Sequence, residues 1–267
     1  GYVAEQVFGG LAGLFIVHGD LDLIPAIATA KEEFLILQDF DLDRKGHILA
    51  PLPMQQMLGR EGQLITANGQ DVPEFEIPTD RFLRLRLLNA SPSRFYRLAF
   101  ADSHPFYLIA TDGGGIPEPI GLTELLLVPG ERAEILIQGD RQPQQYSLVN
   151  LPYDRGGMGR GPGMMMRNRG MIGGFNRDDF DFGDLGDQIE PIDQSRAIAK
   201  FTCNGPVPKL PLPKKLVAVE ELPEPTQIRR LVLNHGMMPG YGMVFLINGW
   251  PFVPDQIDTQ VRLDTIE

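Results

Sequence analysis

The run Arg81-Phe82-Leu83-Arg84-Leu85-Arg86-Leu87-Leu88-Asn89 sets Leu83, Leu85 and Leu87 on one face and Arg84 and Arg86 on the other. Successive side chains of an extended backbone point to opposite faces, so this period of two predicts a half-buried strand. It recurs along the chain. Leu125-Leu126-Leu127-Val128 and Ala133-Glu134-Ile135-Leu136-Ile137 flank Pro129-Gly130-Glu131-Arg132, which reads as a turn between strands. Further strands are predicted at 34–37, 94–100, 106–110, 146–149, 197–202, 228–233 and 244–247. Helix signals are weak, with one short helix expected within residues 1–10. The chain carries 30 glycines and 23 prolines, which suit many turns between short strands better than long helices. The predicted class is all-β, built as a sandwich.

Two segments break the pattern. Residues 154–194 begin with glycine, methionine and arginine and turn acidic at Asp178-Asp179-Phe180-Asp181. Neither half offers a regular apolar face, so a surface loop is expected. Residues 205–226 carry Pro206, Pro208, Pro211, Pro213, Pro223 and Pro225, the composition of a stiff, extended linker. At the end, residues 260–267 alternate as a strand and stop, which predicts a sticky edge available for self-association.

Charge narrows the partners. A net charge of −11 argues against nucleic acid, which needs a basic surface. No apolar run is long enough to span a bilayer, so no membrane is expected as a partner, and no signal peptide is visible. The single cysteine, Cys203, excludes an internal disulfide. The opening Gly1-Tyr2-Val3, without methionine, is what processing or excision would leave.

Several segments together resemble one family. They are residues 1–14 (Gly-Tyr-Val-Ala-Glu-Gln-Val-Phe-Gly-Gly-Leu-Ala-Gly-Leu), Leu64-Ile65-Thr66-Ala67-Asn68-Gly69, residues 83–91, Ala110-Thr111-Asp112-Gly113-Gly114, Val128-Pro129-Gly130-Glu131-Arg132 and Ile247-Asn248-Gly249. In this order and spacing the chain resembles three-domain bacterial multicopper oxidases, the laccases and cuprous oxidases, over essentially its whole length. The resemblance implies cupredoxin-like Greek-key β-sandwiches. Residues 1–30 would finish domain one, 31–203 would form domain two with its 154–194 loop, 204–226 would be the linker, and 227–267 would begin domain three. It also implies a periplasmic or secreted protein.

In that family a His-x-His-Gly motif precedes a segment like residues 1–14, and a His-Pro-x-His-x-His motif follows a strand like 261–267. Here His18, His47, His104 and His235 stand singly, and no histidine neighbours Cys203. A blue-copper site needs two histidines and a cysteine thiolate. The chain therefore reads as the middle of such an enzyme, between its clusters of copper ligands. The parent is expected to oxidise small phenols or metal ions such as Cu(I) and to reduce O2 to water. The 267-residue piece alone is expected to be inactive.

Candidate site residues follow from the same comparison. Met237, Met238 and Met243, with His235, lie where cuprous oxidases of the copper-resistance type carry a methionine-rich insertion. Thioethers are soft ligands suited to Cu(I); the alternative is that methionine fills packing gaps and that His235 is an ordinary loop histidine. A second methionine group, Met158, Met164, Met165, Met166 and Met171, has the same two readings. The run Gly249-Trp250-Pro251-Phe252-Val253-Pro254-Asp255 lacks the methionine those cuprous oxidases can place there, which leaves room for a general laccase. Glu5 would lie close behind the His-x-His motif, as a carboxylate beside the copper ligands or as a solvated charge. Asp112-Gly113-Gly114 is a turn. Cys203 reads as a structural thiol, His104 as part of a turn, and His18 and His47 as surface residues.

Two other classes compete with the oxidase. One is a copper-free periplasmic scaffold on the same fold, for example in cell division. The other is a free-standing β-sandwich binding module, against which the incomplete third domain counts.

Overall fold

A computed structural model describes residues 3–52, 55, 59–140, 142–153, 195–238 and 242–266. The expected surface loop and its methionines, Met158 to Met171, lie outside the described residues.

The chain divides into two compact units, Gly1–Ala218 and Val219–Glu267. The first opens with helix α1 (Val3–Phe8), a 3-10 turn (Asp20–Leu23) and helix α2 (Pro25–Ala28). Strands follow: β1 (Lys31–Phe40), β2 (Leu64–Ala67), β3 (Glu74–Glu76), β4 (Leu83–Asn89), β5 (Tyr96–Phe100), β6 (Phe106–Thr111), β7 (Gly114–Leu122), β8 (Glu124–Leu127), β9 (Arg132–Ile137), β10 (Gln144–Leu151) and β11 (Arg196–Cys203). They form a six-stranded sheet, β2-β1-β4-β9-β6-β7, and a five-stranded sheet, β3-β11-β10-β5-β8. The β1–β4 and β3–β11 pairs are parallel, and the other pairs are antiparallel.

Leu83, Leu85 and Leu87 enter the core between the sheets with Leu35, Leu37, Ile135, Tyr96, Phe100 and Phe201. The inner faces of the two sheets thus make the sandwich interior. The outer face of the six-stranded sheet is not left to solvent. The 20–28 segment and the proline-rich strap cover it, building a second apolar cluster from Leu21, Ile27, Phe82, Ile109, Ala110 and Leu136. Strand β4 is consequently buried on both faces rather than half-buried.

The early part of the 204–226 segment is tied to this sandwich. Val207 is buried in the main core, and its N–H donates to the Asp140 carbonyl at 3.1 Å. Gln138 Nε2 donates to the Pro208 carbonyl at 2.8 Å, and the Leu216 N–H to the Pro117 carbonyl at 2.8 Å. Proline cannot donate to a ladder, so the strap's donors are residues between its prolines, Val207 and Leu216, while Pro208 serves as an acceptor.

The second unit is a small antiparallel sheet of β12 (Leu233–Met238), β13 (Gly242–Ile247) and β14 (Trp250–Pro251). Each unit contains an Asn-Gly turn with both residues at positive φ: Asn68 at 53° with Gly69 at 74°, and Asn248 at 54° with Gly249 at 86°. This is the turn that two-residue hairpins favour. The asparagine side chain does further work. Asn68 Oδ1 accepts from the Ile36 N–H and Asn248 Oδ1 from the Val232 N–H, both at 2.8 Å.

The strand expected at 228–233 begins only at Leu233. The alternating 260–267 segment forms no strand among the described residues, so the sticky edge expected there is not observed. Alternation sets faces, but a strand also needs a ladder partner. Here the Ile266 carbonyl accepts from the Thr226 N–H and hydroxyl, and the Gln260 carbonyl from Arg229 Nη2. No described helix is long and apolar enough to cross a membrane.

Candidate functional site

The β12–β13 hairpin carries the predicted soft donors. Its register sets Met237 opposite Met243, His235 opposite Phe245, and Met238 opposite Gly242. Positions two apart on a strand share a face, as do directly opposed residues. His235, Met237 and Met243 therefore hold positions on one face, and Met238 holds one on the other. His235 and Met237 are exposed. The same face presents Leu233, Phe245 and Ile247, also exposed. The sequence grouped four donors, and strand parity brings together three positions.

Glu5 is exposed on α1. The polar chemistry of that helix lies instead at Phe8. Its ring centroid sits 4.8 Å from the Arg60 guanidinium carbon, and its carbonyl accepts from Arg60 Nη2 at 3.2 Å. Arg60 is fully buried and also donates to the Leu49 carbonyl.

The remaining histidines and the cysteine occupy separate surroundings. His47 Nδ1 lies 3.0 Å from Asp43 Oδ2, and the His47 contacts hold the Asp43 carboxyl below its usual range. His18 Nδ1 lies 3.6 Å from Asp22 Oδ2. His104 is buried, with Nε2 2.7 Å from the Gln138 carbonyl and its ring against Tyr146 at 4.4 Å. Burial pushes the Tyr146 phenol up to about 12. Cys203 is buried at the end of β11 and its thiol donates to the Gly205 carbonyl at 3.4 Å. Among the described residues no group of three or more His, Cys, Asp or Glu side chains could hold a metal ion. A blue-copper centre needs a thiolate and two imidazoles converging on one point. This thiol faces a carbonyl and His104 is engaged elsewhere, so the described residues do not fit that centre.

A shallow apolar groove of about 430 Å³ lies on the first unit, lined by Leu14, Ile16, Phe34, Ile36, Gln38 and the Asn68-Gly69 turn. Its lining holds no titratable group, and the Asn68 amide is spent on the β1 backbone.

A dense cluster of charge lies where the sequence suggested an ordinary polar face. Arg84 and Arg86 are 4% and 7% exposed. Arg84 Nε and Nη2 meet Glu134 Oε2 at 2.8 and 2.6 Å, and Nη1 meets Asp22 Oδ1 at 2.5 Å. Arg86 Nη1 meets Glu134 Oε1 at 2.6 Å, Nε meets Glu32 Oε2 at 3.1 Å, and Nη2 meets Asp22 Oδ1 at 3.2 Å. Register explains two partners: Glu32 pairs with Arg84 across β1–β4, and Glu134 with Arg86 across β4–β9. Asp22 arrives from the covering turn. Burial alone would raise its pKa. The hydrogen bond from Arg84, that from the Gly19 N–H and the charges of both arginines outweigh burial and hold the carboxyl below its usual range. Burial also works against the Arg84 cation, yet Asp22 and Glu134 hold its pKa above the usual value. The leucine-arginine alternation marked β4, but nothing local marked the segment that covers it.

No protein-family model matches the chain. Among curated proteins it is 32% identical over 275 residues to the cell division protein FtsP of Edwardsiella tarda, an alignment spanning 100% of this chain and 51% of that protein. It is 38% identical over 137 residues to FtsP of Xenorhabdus nematophila, covering 50% of this chain and 28% of that one. The chain thus spans about half the length of the relative it matches end to end. Among solved structures it is similar to a multicopper oxidase from Campylobacter jejuni, with a TM-score of 0.66 and 23% identity over 90% of this chain and 46% of that one. It is also similar to the McoA multicopper oxidase of Aquifex aeolicus, with a TM-score of 0.59 and 23% identity over 83% of this chain and 41% of that one. At such identities the likeness shows the fold alone: an all-β, cupredoxin-like architecture.

Proposed function

We propose that this chain is the central, cupredoxin-like part of a cell-division protein, and that it serves as a copper-free scaffold whose surfaces are its function. The observation that carries this is the 32% identity running along the whole chain to a protein named for cell division. On this reading residues 1–30 close one cupredoxin domain, 31–203 form a second, and 227–267 open a third. The parent resides in the periplasm or is secreted.

The rival, an oxidase parent acting on phenols or metal ions with O2, draws on the fold alone, and fold does not fix function. Copper-loading the full-length parent separates the two. The scaffold reading expects no intense blue absorption and no phenol or Cu(I) oxidation, with a fluorescent fusion gathering at the division site. A blue band with turnover, or a fusion spread evenly through the envelope, would overturn it.

The hairpin register supports a second, smaller reading. His235, Met237 and Met243 hold register positions on one face of the hairpin, and imidazole nitrogen with thioether sulfur is the donor set for a soft monovalent ion such as Cu(I). Titrating Ag(I) into the 267-residue chain should shift the Met237 and Met243 methyl resonances in a saturable way. The Met237→Leu, Met243→Leu double variant should abolish saturation. Shifts confined to Met238 would count against the site.

A further inference from the structure

We propose that Asp22 is an acid-released clasp: its contacts with Arg84 and Arg86 hold the 20–28 segment over the six-stranded sheet, and protonating it uncovers the apolar layer beneath.

The geometry divides the cover into a polar latch and an apolar pad. The latch is Asp22 Oδ1, 2.5 Å from Arg84 Nη1 and 3.2 Å from Arg86 Nη2. The pad is Leu21 and Ile27, which pack with Phe82, Ile109 and Leu136. The segment itself is short. Its 3-10 turn and α2 span 4 residues each, too few to hold a helix without tertiary contacts.

Among the described residues, the charged groups around Asp22 come from three strands and from its own segment. Strand β4 contributes Arg84 and Arg86, β1 contributes Glu32, and β9 contributes Glu134. The segment's own approach contributes His18, 3.6 Å away, and the Gly19 N–H, 2.7 Å away. The strap packs on the apolar layer, through Leu216 and Val217 among others. Two guanidinium groups thus face three carboxylates. Glu32 and Glu134 stand on the same sheet as the arginines, so their ion pairs do not bind the cover. Among the described residues, it is Asp22 that ties the cover to these arginines by charge.

The sign follows from the direction of the Asp22 shift. Its carboxyl is held below its ordinary 3.8 when the segment is docked. The clasp therefore contributes fully above about pH 4 and is lost as the pH falls through the docked value. Protonation turns the carboxylate's ionic hydrogen bonds to Arg84 and Arg86 into weak ones. The pad alone then holds the segment.

Amide hydrogen exchange of the 267-residue chain, corrected for intrinsic rates, tests this. The Ile27 and Ala28 amides, both bonded to the Ile24 carbonyl, report on the segment. Those of β10 and β11 report on the core. Between about pH 5 and about pH 3 the segment amides should lose protection severalfold, up to the roughly sevenfold that one carboxyl of ordinary pKa 3.8 can yield over that interval, while β10 and β11 keep theirs. Binding of an apolar dye should rise over the same interval. Asp22→Asn should show the low protection already at neutral pH, with no further step. The idea is overturned if the segment and the core lose protection together. It is equally overturned if Asp22→Asn keeps both full neutral protection and the acid step. Should that variant not fold, the wild-type series decides alone.

Discussion

Arg84→Ala should cost about 3–5 kcal/mol of folding stability at neutral pH, the range for breaking a buried ion pair by removing one partner. The side chain is 4% exposed and engages Glu134 through two nitrogens and Asp22 through a third. Deleting it leaves Arg86 as the one guanidinium facing Asp22, Glu32 and Glu134. Because Glu134 and Asp22 keep 17% and 18% of their side-chain exposure, water relieves part of the loss, and the lower end of the range is expected. The urea midpoint measures this, with an unchanged slope marking an unchanged native state. The companion variant, Arg84→Met with Glu134→Leu, removes one charge of each sign and leaves Arg86 to Asp22 and Glu32. It should recover most of the loss, because a buried pair replaced by apolar groups of similar volume is often close to neutral. A cost for Arg84→Ala below about 1 kcal/mol, typical of surface pairs, would show that the cluster is open to solvent.

The same arginines show where sequence reading reaches its limit. The alternation of residues 81–89 gave the strand and the inward leucines, because side-chain parity is a local property. It could not give the outward environment, which depends on residues 20–28 and 207–217 arriving from far along the chain. Strand β7 was invisible for another reason. Gly114, Gly115, Pro117, Pro119 and Gly121 spoil every propensity signal, yet β7 is an edge strand, where proline's missing donor costs least. At residues 260–267 the failure ran the other way, since a face pattern existed without a ladder partner among the described residues. In the hairpin, sequence proximity joined four donors that parity separates into three and one. The Asn-Gly turns were legible because their chemistry is local. Their second role, capping a neighbouring backbone, was not, because it depends on which strand lies alongside.

Phe100→Ala should cost about 3–5 kcal/mol, the range for emptying a buried phenylalanine site. Phe100 is 2% exposed and ends β5. Its ring meets those of His104, Tyr146 and Phe201 near edge-on, at centroid distances of 5.6, 5.9 and 5.7 Å. A fourth contact, Phe106 at 6.2 Å, comes from the opposite sheet. One ring thus links β5, β10 and β11 to β6 across the sandwich, and edge-to-face geometry adds to the area it buries. Phe201 is also stacked on Phe75 at 5.2 Å, which limits how far it can move into the space left. Poor collapse puts the expected cost toward the upper end, and Phe100→Leu, which keeps more of the volume, should cost less. Chemical denaturation of both variants checks the order; a cost for the alanine variant below about 1 kcal/mol would mean that the two sheets are not joined through this ring. The proposed function depends on that joint. A scaffold acts through surfaces held in fixed relation, and a domain stable by only about 5–15 kcal/mol has little to spare. The Phe100→Ala parent should therefore lose its place at the division site through loss of folded protein. In a strain that restores its folded level, localisation should return, because the ring removed is buried and forms no part of the surface.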